Sequence, residues 1–319
     1  MEDMSAKVQG AINNIEKVVV GKRQEVELSF VAMLAGGHIL LEDVPGVGKT
    51  VMVKSIAKTL GADFKRIQFT PDLLPSDVTG VSIYNQKTGL FEFRPGPIMA
   101  NVVLADEINR TSPKTQSALL EALEEGNVTV DGDTKKLSNP FFVMATQNPI
   151  EYAGTYPLPE AQLDRFLFKL KMGYPTEEEE LEVLNRIENS HPIDELSSVL
   201  TPEDLLEMKR QVKSVYVDEK VKSYIIQLVR ATRAEEYVRL GVSPRGSIAL
   251  MKAAQAYAFI QEREYVIPDD VKYLAPFTLA HRLVLKTDIS MSRMTAEQII
   301  IELLERVTVP TTRKEAMTR

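Results

Sequence analysis

Gly46-Val47-Gly48-Lys49-Thr50 follows the apolar run Ile39-Leu40-Leu41, and Val51-Met52-Val53-Lys54-Ser55-Ile56-Ala57 continues from it as a helix-like stretch. A phosphate tail needs backbone N–H groups converging on its oxygens, and side chains would obstruct that approach, so Gly46 and Gly48 let the loop wrap closely. The helix opening at Lys49 adds the positive end of its dipole. Lys49 then serves the outer phosphates as a point charge, and the Thr50 hydroxyl serves a magnesium ion. Pro45, Val47 and Val51 complete the loop as binding positions. The usual phosphate-loop pattern opens with a glycine where this chain carries Asp43; that position begins the turn, so the expectation is an altered turn with binding retained.

A second segment, Asn101-Val102-Val103-Leu104-Ala105-Asp106-Glu107, is an apolar run closed by two adjacent acids. Buried parallel strands read as continuous apolar runs, and ligands bind at their carboxyl ends. There Asp106 would hold the magnesium ion and Glu107 would orient or deprotonate an attacking water. The two segments together describe both halves of a nucleoside-triphosphate hydrolysis site.

Five apolar runs must form the sheet that carries these residues: 38–42, 64–68, 101–106, 141–147 and 166–171. Between the third and fourth, Ser112-Pro113 gives an N-cap and first-turn proline, Leu119, Leu120 and Leu123 form one face, and Gly126 ends the helix. Two hairpins interrupt the pattern near residues 81–93 and 127–137, the latter across Asp131-Gly132, a two-residue turn signal. After Tyr174-Pro175 the β-type runs thin out and capped helices follow: Thr176 with Glu179, Thr201-Pro202, Ser243-Pro244 and Thr295 with Gln298. Two domains are expected, an α/β nucleotide-binding core over 1–175 and a smaller helical domain over 176–319. Residues 311–319 are expected to fray.

Composition narrows the chemistry. The 319-residue chain is 44% hydrophobic, enough for two cores. It has no cysteine and three histidines, which excludes disulfides, thiolate catalysis and cysteine-ligated zinc and leaves magnesium as the implied metal. No run is long enough to span a bilayer and the start lacks a signal region, so a cytoplasmic protein is expected. A net charge of −7 argues against a broad nucleic-acid footprint.

The motifs at 41–50, 105–110 (Ala-Asp-Glu-Ile-Asn-Arg), 145–149 (Ala-Thr-Gln-Asn-Pro) and 156–166 (Tyr-Pro-Leu-Pro-Glu-Ala-Gln-Leu-Asp-Arg-Phe) resemble those of AAA+ ATPases, and within them the MoxR family. The resemblance covers nearly the whole chain. It implies an αβα sandwich around a parallel five-stranded sheet, followed by an all-helical lid. It implies ATP, ADP and Mg2+ as ligands, a homo-oligomeric, hexameric ring, and a chaperone-like role on a client protein or complex, often with a partner bearing a von Willebrand factor A domain. Asn148 resembles the sensor that positions the attacking water, although an Asn-Pro turn starter is an adequate reading of its chemistry. Arg165 resembles the arginine finger that reaches a neighbouring subunit's nucleotide; a structural ion pair is the alternative. Arg245 resembles the lid sensor, and Val19-Val20 the segment that packs on adenine. A nucleotide-gated scaffold and a helicase-type nucleic-acid motor are the competing classes.

Overall fold

The computed structural model describes residues 2–42, 46–148, 154–188, 192–286 and 294–310, with side chains described from Met4 onward. Asp43, Pro45, Pro149 and the terminal residues 311–319, all singled out above, lie outside the described residues. The chain divides into two compact units, Met1–Val212 and Lys213–Arg319.

In the first unit, helices α1 (Glu2–Glu16) and α2 (Arg23–Ala35) lead into β1 (Ile39–Glu42), α3 (Lys49–Thr59) and β2 (Phe64–Gln68). A short α4 (Pro75–Thr79) opens the hairpin β3 (Gly80–Asn85) and β4 (Leu90–Pro95). Strand β5 (Val102–Asp106), α5 (Pro113–Glu125), the hairpin β6 (Asn127–Val130) and β7 (Asp133–Lys136), then β8 (Phe142–Gln147), α6 (Glu160–Leu163) and β9 (Phe168–Leu170) complete the α/β part. The main sheet has the order β2-β5-β8-β1-β9, every pair parallel. All five expected strands are present, the last shortened because Phe166 N–H closes a turn onto Leu163 O.

Burial follows position in that order. Strand β5 is buried throughout and β8 nearly so, whereas the edge strand β2 exposes Lys65, Arg66 and Gln68. Charged residues on an edge discourage pairing with another chain. Helix α5 contributes Leu119, Leu120 and Ala122 to one core with Leu40, Val103, Ala105, Val143 and Ala145. Alternation then puts Asp106 and Thr146 on the opposite face, where α3 packs on β5 and β2. Local signals read from the sequence are realised: Ser112 caps α5 and Gly126 ends it in the left-handed region, and Asp131-Gly132, both at positive φ, turn the second hairpin.

Helices α7 (Glu177–Ile187), α8 (Pro192–Glu195) and α9 (Pro202–Val212) belong to the first unit, so the compact units divide well past the composition shift after Pro175. The reason is packing: α9 buries Leu205, Met208 and Val212, and it lies against α1 and α2. The second unit contains α10 (Glu219–Ala234), α11 (Pro244–Ile260), α12 (Pro268–Leu279) and α13 (Ala296–Arg306). Its helices are accompanied by a short antiparallel pair, β10 (Val238–Leu240) with β11 (Val284–Leu285), which the helical pattern did not announce. Among the described residues, no helix is long and apolar enough to cross a membrane.

His38, just before β1, ties three elements of this core. Its Nδ1 accepts from Val143 N–H at 3.0 Å, so the proton sits on Nε2, which faces Leu123 O at 3.2 Å. Burial pushes its pKa from 6.5 down to about 4, with a smaller push from Lys209 and an opposing one from the Leu123 carbonyl. Between those two values the unfolded chain binds a proton that the folded chain refuses. Stability held above pH 6.5 should therefore fall through that window, by up to about 3 kcal/mol at this residue. Urea unfolding at several pH values checks this: wild type should show a steeper loss than His38→Gln, and parallel curves would remove His38 as the cause.

Candidate functional site

The carboxyl ends of β5 and β8 and the start of α3 surround a pocket of about 300 Å3, lined by Gly46, Gly48, Lys49, Thr50, Val51, Arg66, Gln68, Asp106, Glu107, Thr146 and Asn148. The two segments that suggested phosphate chemistry thus meet in one place. Gly46 and Gly48 have φ of 89° and 87°, and Gly48 is the N-cap residue of α3. A Cβ added to either would meet nothing within 4 Å, so left-handed backbone geometry, and not crowding by the protein, is what calls for glycine here. The open space beside the loop is a concave cradle at a helix N-terminus, the setting in which backbone N–H groups take up phosphate oxygens.

The acid pair is held by named partners. Asp106, at the end of β5, is 9% exposed. Its Oδ1 accepts from Thr146 Oγ1 at 2.6 Å, and its Oδ2 accepts from Arg66 Nη2 at 2.5 Å and Nε at 3.2 Å. Glu107 leaves the strand with φ 58° and ψ 48°, a left-handed conformation costing roughly 1–2 kcal/mol in a residue with a Cβ. Its N–H donates to Thr146 Oγ1 at 2.8 Å, and its Oε2 accepts from Gln68 Nε2 at 2.6 Å and Arg110 Nη1 at 2.9 Å. Arg110 reaches back because residues Ile108–Arg110 form a single tight turn. Asn148 follows β8, is 8% exposed, and its backbone oxygen accepts from Asn109 Nδ2 at 3.2 Å.

The Thr50 hydroxyl and the Asp106 carboxylate are hard oxygen donors in the same pocket. That set fits Mg2+, which takes one or two protein oxygens together with substrate phosphates and does not need a cage. Among the described residues, no group of three or more His, Asp or Glu side chains is placed to hold a metal ion.

A second cavity of about 250 Å3 adjoins the same loop, sharing Gly46, Gly48 and Val51 with the first. Its walls are apolar: Val18, Val19, Val20, Val47, Pro175, Val183, Ile187, Pro192 and Ile193. Its two cations are engaged elsewhere. Lys22 Nζ donates to Met172 O at 2.5 Å, and Arg186 donates to Glu182 and to Glu16 O, both at 2.7 Å. An apolar slot of this size, open to the loop, suits a flat ring attached to a phosphate tail.

Two further expected site residues, Arg165 and Arg245, are not part of the lining of these cavities. Arg165 lies just before β9, with its Nε 3.1 Å from Glu124 Oε2, an ion pair lacking hydrogen-bond alignment. Arg245 is in the second unit, exposed in the first turn of α11, where Ser243 accepts from its backbone N–H at 3.2 Å. A cation there is disfavoured by the helix dipole.

Several lining residues were not anticipated. Arg66 and Gln68 alternate along β2 on the face of Asp106, a pattern visible in the sequence once that strand is known to neighbour the acid-bearing one. Val183 and Ile187 form the i, i+4 face of α7 that lines the apolar slot, while Leu181 and Leu184 of the same helix are 59% and 63% exposed.

Comparison with known proteins agrees with this arrangement. Residues 38–168 match the model of the ATPase family associated with various cellular activities (AAA), and residues 230–303 match the AAA lid domain. The YeaC protein of Bacillus subtilis is 64% identical, covering 98% of each chain. The Chaperone MoxR1 of Mycobacterium tuberculosis is 43% identical, covering 97% of this chain and 85% of its own. A crystal structure from Cytophaga hutchinsonii superimposes with a TM-score of 0.91 at 43% identity, covering 97% of this chain and 96% of its own.

The glycine requirement is open to a stability test. Gly48→Ala should destabilise the protein by about 1–2 kcal/mol in urea unfolding, because alanine pays the left-handed penalty at φ 87°. Gly10→Ala, inside α1 with nothing within 4 Å of the new methyl, should stabilise by roughly 0.5–1 kcal/mol. Equal effects at the two sites would contradict the conformational argument.

Proposed function

Since the chain belongs to the MoxR family of AAA+ ATPases, we propose that it hydrolyses ATP to ADP with Mg2+ in a homo-oligomeric, hexameric ring, and uses that cycle to remodel or mature a client protein or complex. One observation carries the reading. A single pocket gathers the glycine loop, Lys49, Thr50, Asp106, Glu107 and Asn148, and an apolar slot of base-like dimensions opens from the same loop.

In this reading the backbone of Gly46 to Gly48 holds the phosphates, Lys49 neutralises the outer ones, and Thr50 and Asp106 hold the cation. Bound there, Mg2+ would supply positive charge to the transferred phosphoryl group. Glu107 takes the attacking water, and two donors on Oε2 fix the carboxylate's direction. Asn148 helps to place that water. Val19, Val20 and Val47 pack on adenine. Arg165 would act in trans on the neighbouring subunit's nucleotide once freed from Glu124, and Arg245 would report nucleotide to the lid. By similarity to Chaperone MoxR1, the work is chaperone-like; the resemblance to the family adds a von Willebrand factor A domain protein as a candidate partner.

Steady-state ATP hydrolysis against protein concentration, with magnesium, tests the shared site. Glu107→Gln should abolish turnover while nucleotide binding persists, and Arg165→Ala should lower turnover roughly a thousandfold or more. An equimolar mixture of the two variants should recover part of the activity. Turnover independent of concentration and indifferent to Arg165 would refute the trans assignment.

A further inference from the structure

We propose that Arg66 is a built-in competitor of the divalent cation at Asp106 and thereby sets how much free magnesium the site requires. The proposal rests on the reading of Asp106 as a cation-holding residue.

Parallel pairing of β2 with β5 places Arg66 opposite Leu104 and Gln68 opposite Asp106, so the arginine lies on the face of the acid, one alternation before the end of the strand. From there its guanidinium puts two nitrogens on one oxygen, Nη2 at 2.5 Å and Nε at 3.2 Å from Asp106 Oδ2. The other oxygen already accepts from Thr146 at 2.6 Å. A carboxylate has about four lone-pair directions, and three donors leave little room for a cation or for its ordered waters. The obstacle is also electrostatic, because a guanidinium in contact with the carboxylate cancels the charge that draws a divalent ion.

Arg66 is able to yield. Its side chain is 46% exposed, and its Nη2 also donates to a neutral partner, Gln68 Oε1, at 2.7 Å. Half-exposed ion pairs are weak enough for a divalent ion to displace. Lys49, Arg66 and Arg110 are the cations around the two acids; Arg66 pairs with Asp106 and Arg110 with Glu107. Its role is that of a positioning residue.

The test is cation binding, read without turnover. Mn2+ is titrated into the ADP-saturated full chain, with free Mn2+ followed by electron paramagnetic resonance, for wild type, Arg66→Gln and Arg66→Lys; affinity for a fluorescent ATP analogue is measured separately in EDTA. Arg66→Gln should lower the half-saturating Mn2+ by roughly one-and-a-half- to fivefold, the factor carried by an ion pair of this exposure, with nucleotide affinity in EDTA unchanged. Arg66→Lys, which keeps the charge but loses the fork, should fall between. An unchanged or raised Mn2+ requirement in a variant that melts like wild type overturns the proposal. So does lost nucleotide affinity in EDTA, which would make Arg66 a phosphate ligand instead. If Arg66→Gln does not fold, the lysine variant alone decides. Absence of nucleotide binding by the wild type would overturn the underlying functional reading, a result separable from all of these.

Discussion

The hydroxyl of Thr146 sets the acid end of the sheet. One atom donates to Asp106 Oδ1 and accepts the N–H of Glu107, so a single side chain on β8 fixes the carboxylate of one acid and the backbone turn that aims the next. A hydroxyl can do both at once because it has one donor and two acceptor directions. Thr146 is 1% exposed, so water does not compete for either bond. Its level is in turn set by the parallel register of Ala105 with Ala145, which places the following residues side by side on one face. The continuous apolar character of β5 and β8 is therefore a condition for the chemistry as well as for the fold: a slip of one residue would turn Thr146 away from both acids. The bond to Glu107 N–H also supplies a partner for a donor that has left the strand ladder, which helps to offset its left-handed conformation.

Much of this architecture was legible in the sequence because the signals involved are local. Central parallel strands read as apolar runs, and each of the five was located to within a few residues. Ser112, Gly126 and the Thr176–Glu179 box act on neighbours a turn away and mark helix ends wherever the helix packs. Gly46, Gly48, Lys49, Thr50, Asp106 and Glu107 were likewise legible, since each lies at the end of a strand or the start of a helix whose direction the pattern supplies, whereas Asn148 entered only through the family resemblance. The partners that tune them were not. Arg66 and Gln68 matter because β2 pairs with β5, and Glu124 because α5 ends near Arg165; both facts belong to topology. The apolar slot is built from segments as far apart as Val18 and Ile193, which no local pattern connects. The division at Val212 has the same origin. A run of capped helices reads alike whether or not it packs on α1 and α2, and the buried face of α9 becomes decisive only when its neighbours are known.

The glycine loop is a wall shared by two cavities of opposite character, with Gly46, Gly48 and Val51 facing both. A molecule joining a flat apolar ring to an anionic tail can fill the pair while losing its translational freedom once, whereas a separate ring and a separate tail would each lose it. The affinities of the two halves therefore do not sum to that of the whole, and a mixture of fragments is a poor substitute for the joined compound.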